Sequence, residues 1–253
     1  PLLTSAQFLH PGLLNTEADF SRAKSKIQSK AEPWTSAYDL LLTSKHVNLG
    51  WTPNPVAKLI RGGKTIWEPD ADNYWLAYND AATAYQCALV WKITGDTRYA
   101  DLVVTILNAW AKVCKKVSGD SNSCLATGIY GYEFANAGEL MRDYKGWSTE
   151  DFNRFKKWML NVFCYRAFGF LENRNGTPDD HYWSNWGLCN ALCAMSIGVL
   201  CDDVYTYNAG MEYYKYKEDH RYAESIQNLV WTLFKDPRGP FGYLGQMQES
   251  NRD

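Results

Sequence analysis

Hydrophobic positions along the chain recur mostly at steps of three and four, the spacing of one face of an α-helix. Thr16, with Asp19 three residues on, has the pattern of a capping box, and Phe20, Ala23 and Ile27 follow at helical spacing, which predicts a first helix. Pro33 opens a second segment whose Trp34, Ala37, Tyr38, Leu41 and Leu42 share a face. Residues 79–92 repeat the pattern through Ala81, Ala82, Tyr85, Leu89 and Lys92 before "TGD" turns the chain. The clearest stripe is Leu102, Val103, Ile106, Leu107, Trp110 and Val113. Ser148 and Asp151 cap another helix, carrying Phe152, Phe155, Trp158, Met159, Val162 and Phe163. An apolar segment at 186–200, and Tyr222, Ile226, Leu229, Val230 and Phe234, complete the set. No alternating run is long enough for a convincing strand.

The expected fold class is therefore all-α, with successive helical hairpins in a single domain over 1–253. Long loops are expected at 43–78, 115–132, 168–184 and 235–253, and loops of that length usually carry function. No internal repeat is strong enough to indicate a solenoid.

Composition narrows the function. The net charge of -2 provides no global basic field for nucleic acid, so an anionic ligand has to be held by a few local groups. Aromatics make up 15% of the chain, more than a core needs, and amphipathic rings of this kind line sugar-binding clefts as well as interfaces. No apolar run approaches the roughly 20 residues that span a bilayer, so no membrane partner is expected. The start at Pro1, with no charged and apolar leader after it, fits a secreted protein whose signal has been removed. An "NGT" sequon at Asn175 agrees with secretion. Cys114 and Cys124 bracket a polar loop that a disulfide could close, and a bridge is expected there. Cys87, Cys164, Cys189, Cys193 and Cys201 fall in apolar patterns and are expected as buried thiols.

Nucleotide-binding glycine motifs and the Gly-x-Ser-x-Gly elbow are absent. His10, His46, His181 and His220 are too scattered for a histidine-rich metal site, and "DADNYW" at 70–75 lacks the glycine and distal glutamate of a calcium loop, so no metal or other cofactor is expected. Asp179 with Asp180, or Glu133 with Glu139, could form the carboxylate pair of a glycosidase.

Four stretches, taken in order, carry a resemblance: "FLHPGLLNTEADFSRAKSKI" at 8–27, "ITGDTRYADLVVTILNAWA" at 93–111, "SNWGLCNALCAMSIGVLCDD" at 184–203 and "GQMQESNRD" at 245–253. They resemble the alginate-lyase-like family of polysaccharide lyases, most closely the branch acting on glucuronan or mannuronan. Asn185-Trp186 stands where the bacterial alginate lyases have an Asn-His pair. The resemblance implies an incomplete (α/α) toroid of helical hairpins, with a groove across one end and metal-independent β-elimination at a β-1,4-linked uronic acid. It also implies that 1–253 is the front part of a longer domain, and that the principal acid and base, a tyrosine and a histidine, lie beyond it or must be drawn from this chain.

The chemistry suggests roles for particular residues. The proton on C5 of a uronate is too weakly acidic until its carboxylate is neutralised by hydrogen-bond donors. Asn185 suits that role, with helix capping as its structural alternative. His181 could assist in the groove, and Arg252 could grip a substrate carboxylate, against a plain salt bridge to Asp253 or Glu249. Trp186 either stacks on a sugar or belongs to the core. Tyr130, Tyr132 and Trp75, in Gly- or Asn-rich stretches taken as loops, are sugar platforms or loop anchors. Gln246 and Glu249 fall with Arg252 near helical spacing and complete the substrate-binding set. The expected partner is an anionic polysaccharide and the expected state a monomer. A toroidal glycoside hydrolase and a non-catalytic carbohydrate-binding fragment are the alternatives.

Overall fold

Helices supply nearly all the regular structure in the computed structural model, which describes residues 8–177 and 185–214. α1 (Glu17–Gln28) begins with the expected capping box, in which the Thr16 hydroxyl accepts from the Asp19 N–H and the Asp19 carboxylate accepts from the Thr16 N–H. α2 (Trp34–Leu42) follows it. α3 (Trp75–Thr94) turns into α4 (Thr97–Val113) through Gly95, whose φ of 78° lies in the left-handed region that glycine enters at little cost. α5 (Asn122–Leu140) is followed by α6 (Thr149–Trp158), a π-helical stretch Met159–Cys164 and α7 (Tyr165–Asn173). α8 (Asn185–Cys201) and α9 (Val204–Glu212) form the last described hairpin.

Contacts at both ends of each pair set the helix directions. Tyr78, near the start of α3, lies 6.5 Å from Tyr130 in the first half of α5, ring centre to ring centre, and Trp91 in the last turn of α3 meets Tyr144, just past the end of α5, at 5.2 Å. α5 and α8 are also parallel: Asn190 Nδ2 donates to Cys124 O at 3.2 Å near one end, and Arg142 Nη2 to Leu200 O at 2.7 Å near the other. Each of the three is backed by a chain running the other way. Trp110 of α4 reaches Asp80 of α3, Phe163 packs on Phe134 of α5, and Tyr207 of α9 packs over Gly198 of α8. An inner layer of parallel helices inside an outer antiparallel layer is the expected (α/α) toroid, open on one side over the described residues.

Glycine decides how closely the inner layer packs. A Cβ on Gly128 would fall 2.4 Å from Cys189 Sγ, and one on Gly131 equally close to Cys193 Sγ, so α5 and α8 approach at a distance that no larger residue permits.

Several expectations need correction. The stretch 115–132 is not a loop: α5 begins at Asn122, and Tyr130 and Tyr132 are helical. Trp75 is likewise the first residue of α3, and the predicted loop at 168–184 contains the end of α7. α9 had no counterpart in the pattern. Two strands exist, β1 (Lys58–Ile60) and β2 (Lys116–Ser118), paired in parallel with Lys58 opposite Lys116, and both are too short to show an alternation. The Cys114–Cys124 bridge is absent, and all seven cysteines are free. The residues between the two are not a slack loop, because they build β2 and the first turn of α5. Cys114 faces Lys116 O and Cys124 faces Asn175 Oδ1, and burial pushes the Cys114 thiol up to about 11.

Candidate active site

The starts of α3, α5 and α8 converge at one end of the inner layer, and Arg61 comes to the same place from the loop after β1. Its N–H continues the ladder by donating to Ser118 O at 3.1 Å. Gly119, at a φ of 134°, makes this approach possible, since a Cβ there would lie 1.8 Å from Arg61 O. The guanidinium sits 5.1 Å above the ring of Tyr74, and its field reaches Tyr130 on α5 and Cys189 on α8. Among the described residues it makes no ion pair. Nothing in the sequence singled out Arg61; its only signal was a cation in a glycine-rich "RGG" turn.

Aromatic rings continue from Arg61 along the start of α3. Tyr74 lies 5.8 Å from Trp75 and 6.3 Å from Tyr78, and Tyr78 leads on to Tyr130. Trp75 and Tyr78 are 45% and 41% exposed, so they present ring faces to a ligand. Tyr130 is buried beneath them; burial pushes its phenol up to about 12, although the Arg61 charge pulls the other way. It is therefore the inner end of the aromatic row and not an open platform.

Asn185 is exposed at the first residue of α8. It stands inside the helix, where a capping side chain would precede it, and that placement leaves its amide for solvent or substrate. Trp186, the next residue, turns inward: it is 3% exposed and packs against Phe170, with Cys124 in the same small cluster. It serves the core, because a 100° step around the helix carries it from the mouth to the face covered by α7. His181, Gln246, Glu249 and Arg252 lie outside the described residues, as do Asp179 and Asp180.

Further along α5, Tyr132 and Glu133 border a cavity of about 220 Å³ between α3 and α5. Burial alone pushes the Glu133 carboxyl up to about 7, and its Oε2 has no hydrogen-bond partner. Burial, and then the neighbouring Glu133, raise the Tyr132 phenol. Glu139 does not complete a carboxylate pair with Glu133. It lies at the far end of α5, where it binds the His10 ring at 2.5 Å, the Gly12 N–H at 3.0 Å and Arg142 Nη2 at 2.9 Å. That network pins the N-terminal segment, and Asp202, 2.7 Å from the other His10 nitrogen, completes it. A second cavity, of about 370 Å³, lies at that end under Phe8, Leu13, Met195 and Val199 and is apolar. Among the described residues no cluster of His, Cys, Asp or Glu could hold a metal ion, and no helix is long and apolar enough to cross a membrane.

Comparison with known proteins agrees with this architecture. An alginate lyase from Bacteroides ovatus superposes with a TM-score of 0.59 at 15% identity, over 86% of this chain and 67% of that one. Alginate lyase A1-III from Sphingomonas species A1 gives a TM-score of 0.56 at 17% identity, over 78% of this chain and 57% of its own. A tyrosine-to-phenylalanine variant of A1-III, complexed with a tetrasaccharide, gives 0.59 at 18% identity and is covered over 56% of its length. The chain thus spans little more than half of A1-III. No curated protein matches it. The sequence model of the alginate lyase family matches residues 21–224, most of the chain, and the protein belongs to that family.

Proposed function

We propose that this chain is the substrate-binding and part of the catalytic body of a secreted polysaccharide lyase that cleaves a β-1,4-linked polyuronate, glucuronan or polymannuronate, by metal-independent β-elimination. The observation that carries the reading is the juxtaposition at one end of the inner layer of a guanidinium with no ion pair among the described residues, exposed Trp75 and Tyr78, and the exposed amide of Asn185. Family membership and the oligosaccharide complex of A1-III support it.

A polyuronate lying across this end would stack its rings on Trp75 and Tyr78. Asn185 and Arg61 would donate to the carboxylate of the ring being cut, so that charge developing on it as the C5 proton leaves is held by fixed donors. The C5 proton passes to a base and the C–H electrons form the C4–C5 double bond. The C4–O4 bond breaks and O4 takes up a proton from an acid. Tyr130 holds its proton too firmly to serve as a resting base, and the acid or base tyrosine is sought outside the described residues.

Asn185→Asp tests the assignment. It changes the shape little but places a negative charge opposite the substrate's own, so turnover, read as ultraviolet absorbance of the new double bond, should fall on the order of a hundredfold. The melting temperature should stay close to wild type. Near-normal turnover in that variant would remove Asn185 from the mechanism. New reducing ends without ultraviolet absorbance would favour a hydrolase, and neither signal would leave a binding protein.

A further inference from the structure

The cavity between α3 and α5 lies one helical turn from the aromatic row, since Ala82 follows Tyr78 by four residues and Glu133 follows Tyr130 by three. It is smaller than the roughly 300–1,000 Å³ of sites for drug-sized ligands, a size suited to one sugar ring. Its wall is polar in a specific way. Gln86 Oε1 on α3 and Glu133 Oε2 on α5 are both buried without a hydrogen-bond partner. Two of the other polar side chains are already engaged: Tyr85 donates to Asn15 Oδ1 at 2.6 Å, and Asn136 donates to Tyr132 O at 2.9 Å. Buried polar atoms without partners cost about 1–3 kcal/mol each, and two on side chains that line one cavity call for an explanation.

We propose that this cavity is a subsite for a single uronate ring of the polymer, in which Glu133 in its neutral form donates a hydrogen bond to the sugar and Gln86 Oε1 accepts one from a ring hydroxyl. The proposal rests on the polyuronate reading above. A neutral carboxyl is the donor that suits a polyanion, because an ionised one would repel it, whereas a fixed cation would hold the chain without regard to pH. Burial is the sole cause of the raised Glu133 value, near neutrality. The titratable neighbours are Tyr130 and Tyr132 on its own helix and Tyr85 across the cavity, all of them phenols raised by burial. Among the described residues, the N-terminal segment contributes only Leu14 to the lining. An arriving uronate carboxylate raises Glu133 further, so ring binding near pH 7.5 draws a proton from solvent.

Calorimetric titration of a uronate trisaccharide, repeated in buffers of different ionisation heat, measures that proton. The wild-type chain should take up a substantial fraction of a proton per trisaccharide at pH 7.5, and its affinity should fall roughly tenfold or more between pH 6 and pH 8.5. Glu133→Gln keeps a donor at every pH and should bind with no uptake and a flat profile. Gln86→Ala should weaken binding equally at all pH values while keeping the uptake. Binding without uptake in wild type, uptake that persists in Glu133→Gln, or no trisaccharide binding at all overturns the subsite. The lyase reading fails separately, through absence of the ultraviolet-absorbing product, and proton-coupled binding without that product would leave the subsite standing alone.

Discussion

α4 of the outer layer buries Leu102, Val103, Ile106, Leu107 and Trp110 along one face and leaves Asp101, Thr105 and Lys112 in solvent. α5 of the inner layer is covered nearly all round: Ala126, Tyr130, Phe134 and Ala137 are buried, but so are Thr127, Gly128, Gly131 and Asn136. An outer helix needs only an apolar stripe, and its stability comes from the area that stripe removes from water. An inner helix has neighbours on several sides, so its residues are chosen for size and for hydrogen bonds satisfied inside the protein. The same substitution should therefore have opposite consequences in the two layers.

The largest effect is expected where the inner layer buries a charge-bearing group. Asp80 of α3 has no exposure and accepts from Trp51 Nε1 at 2.8 Å, Trp110 Nε1 at 2.6 Å and Asn54 N at 2.7 Å. Asp80→Ala would orphan all three donors and should lower unfolding stability by roughly 3–5 kcal/mol in urea titration. A loss under about 1 kcal/mol would show that water replaces the carboxylate. Next come the glycines. Gly131→Ala would drive a methyl into Cys193 Sγ and should cost about 1–3 kcal/mol by the same assay. Gly169→Ala, in outer helix α7 with nothing within 4 Å of the new methyl, should instead raise stability by about 0.5–1 kcal/mol. Equal effects at the two glycines would erase the distinction between the layers.

That distinction also governs how much of the molecule was legible in the sequence. α1, α4 and α6 announced themselves through caps at Thr16 and Ser148 and through continuous stripes; α1 and α4 form as expected, while the stripe of α6 passes at Met159 into a π-helical stretch that no local pattern showed. α5 was passed over because Gly128, Gly131 and Gly138 look like loop residues, when their function is to let neighbouring helices touch. The strands were hidden because three residues cannot display a period. Among the candidate site residues, Asn185 was legible as a polar residue at a loop-to-helix junction and Trp75 as an aromatic residue, although in a stretch taken as a loop. For Trp186 the sequence left sugar stacking and core open, and burial selects the core, because a step of one residue on a helix reverses burial. Arg61 was missed because its importance comes from β1 pairing with β2 across more than fifty residues of sequence, a contact that no local pattern carries.

The alternation of directions between the layers has an electrostatic outcome. With α3, α5 and α8 parallel, their amino ends all lie at the end that carries Arg61 and the aromatic row, and each contributes about half an elementary positive charge within its first turn. The outer helices run the other way, so the carboxyl ends of α4, α7 and α9 lie at the same end but on the rim. A chain with a net charge of -2 thus gathers three partial positive charges at this end, with Arg61 beside them. Under the proposed polyuronate reading, those helix ends would draw an anionic chain toward the middle of this end before any side chain touches it.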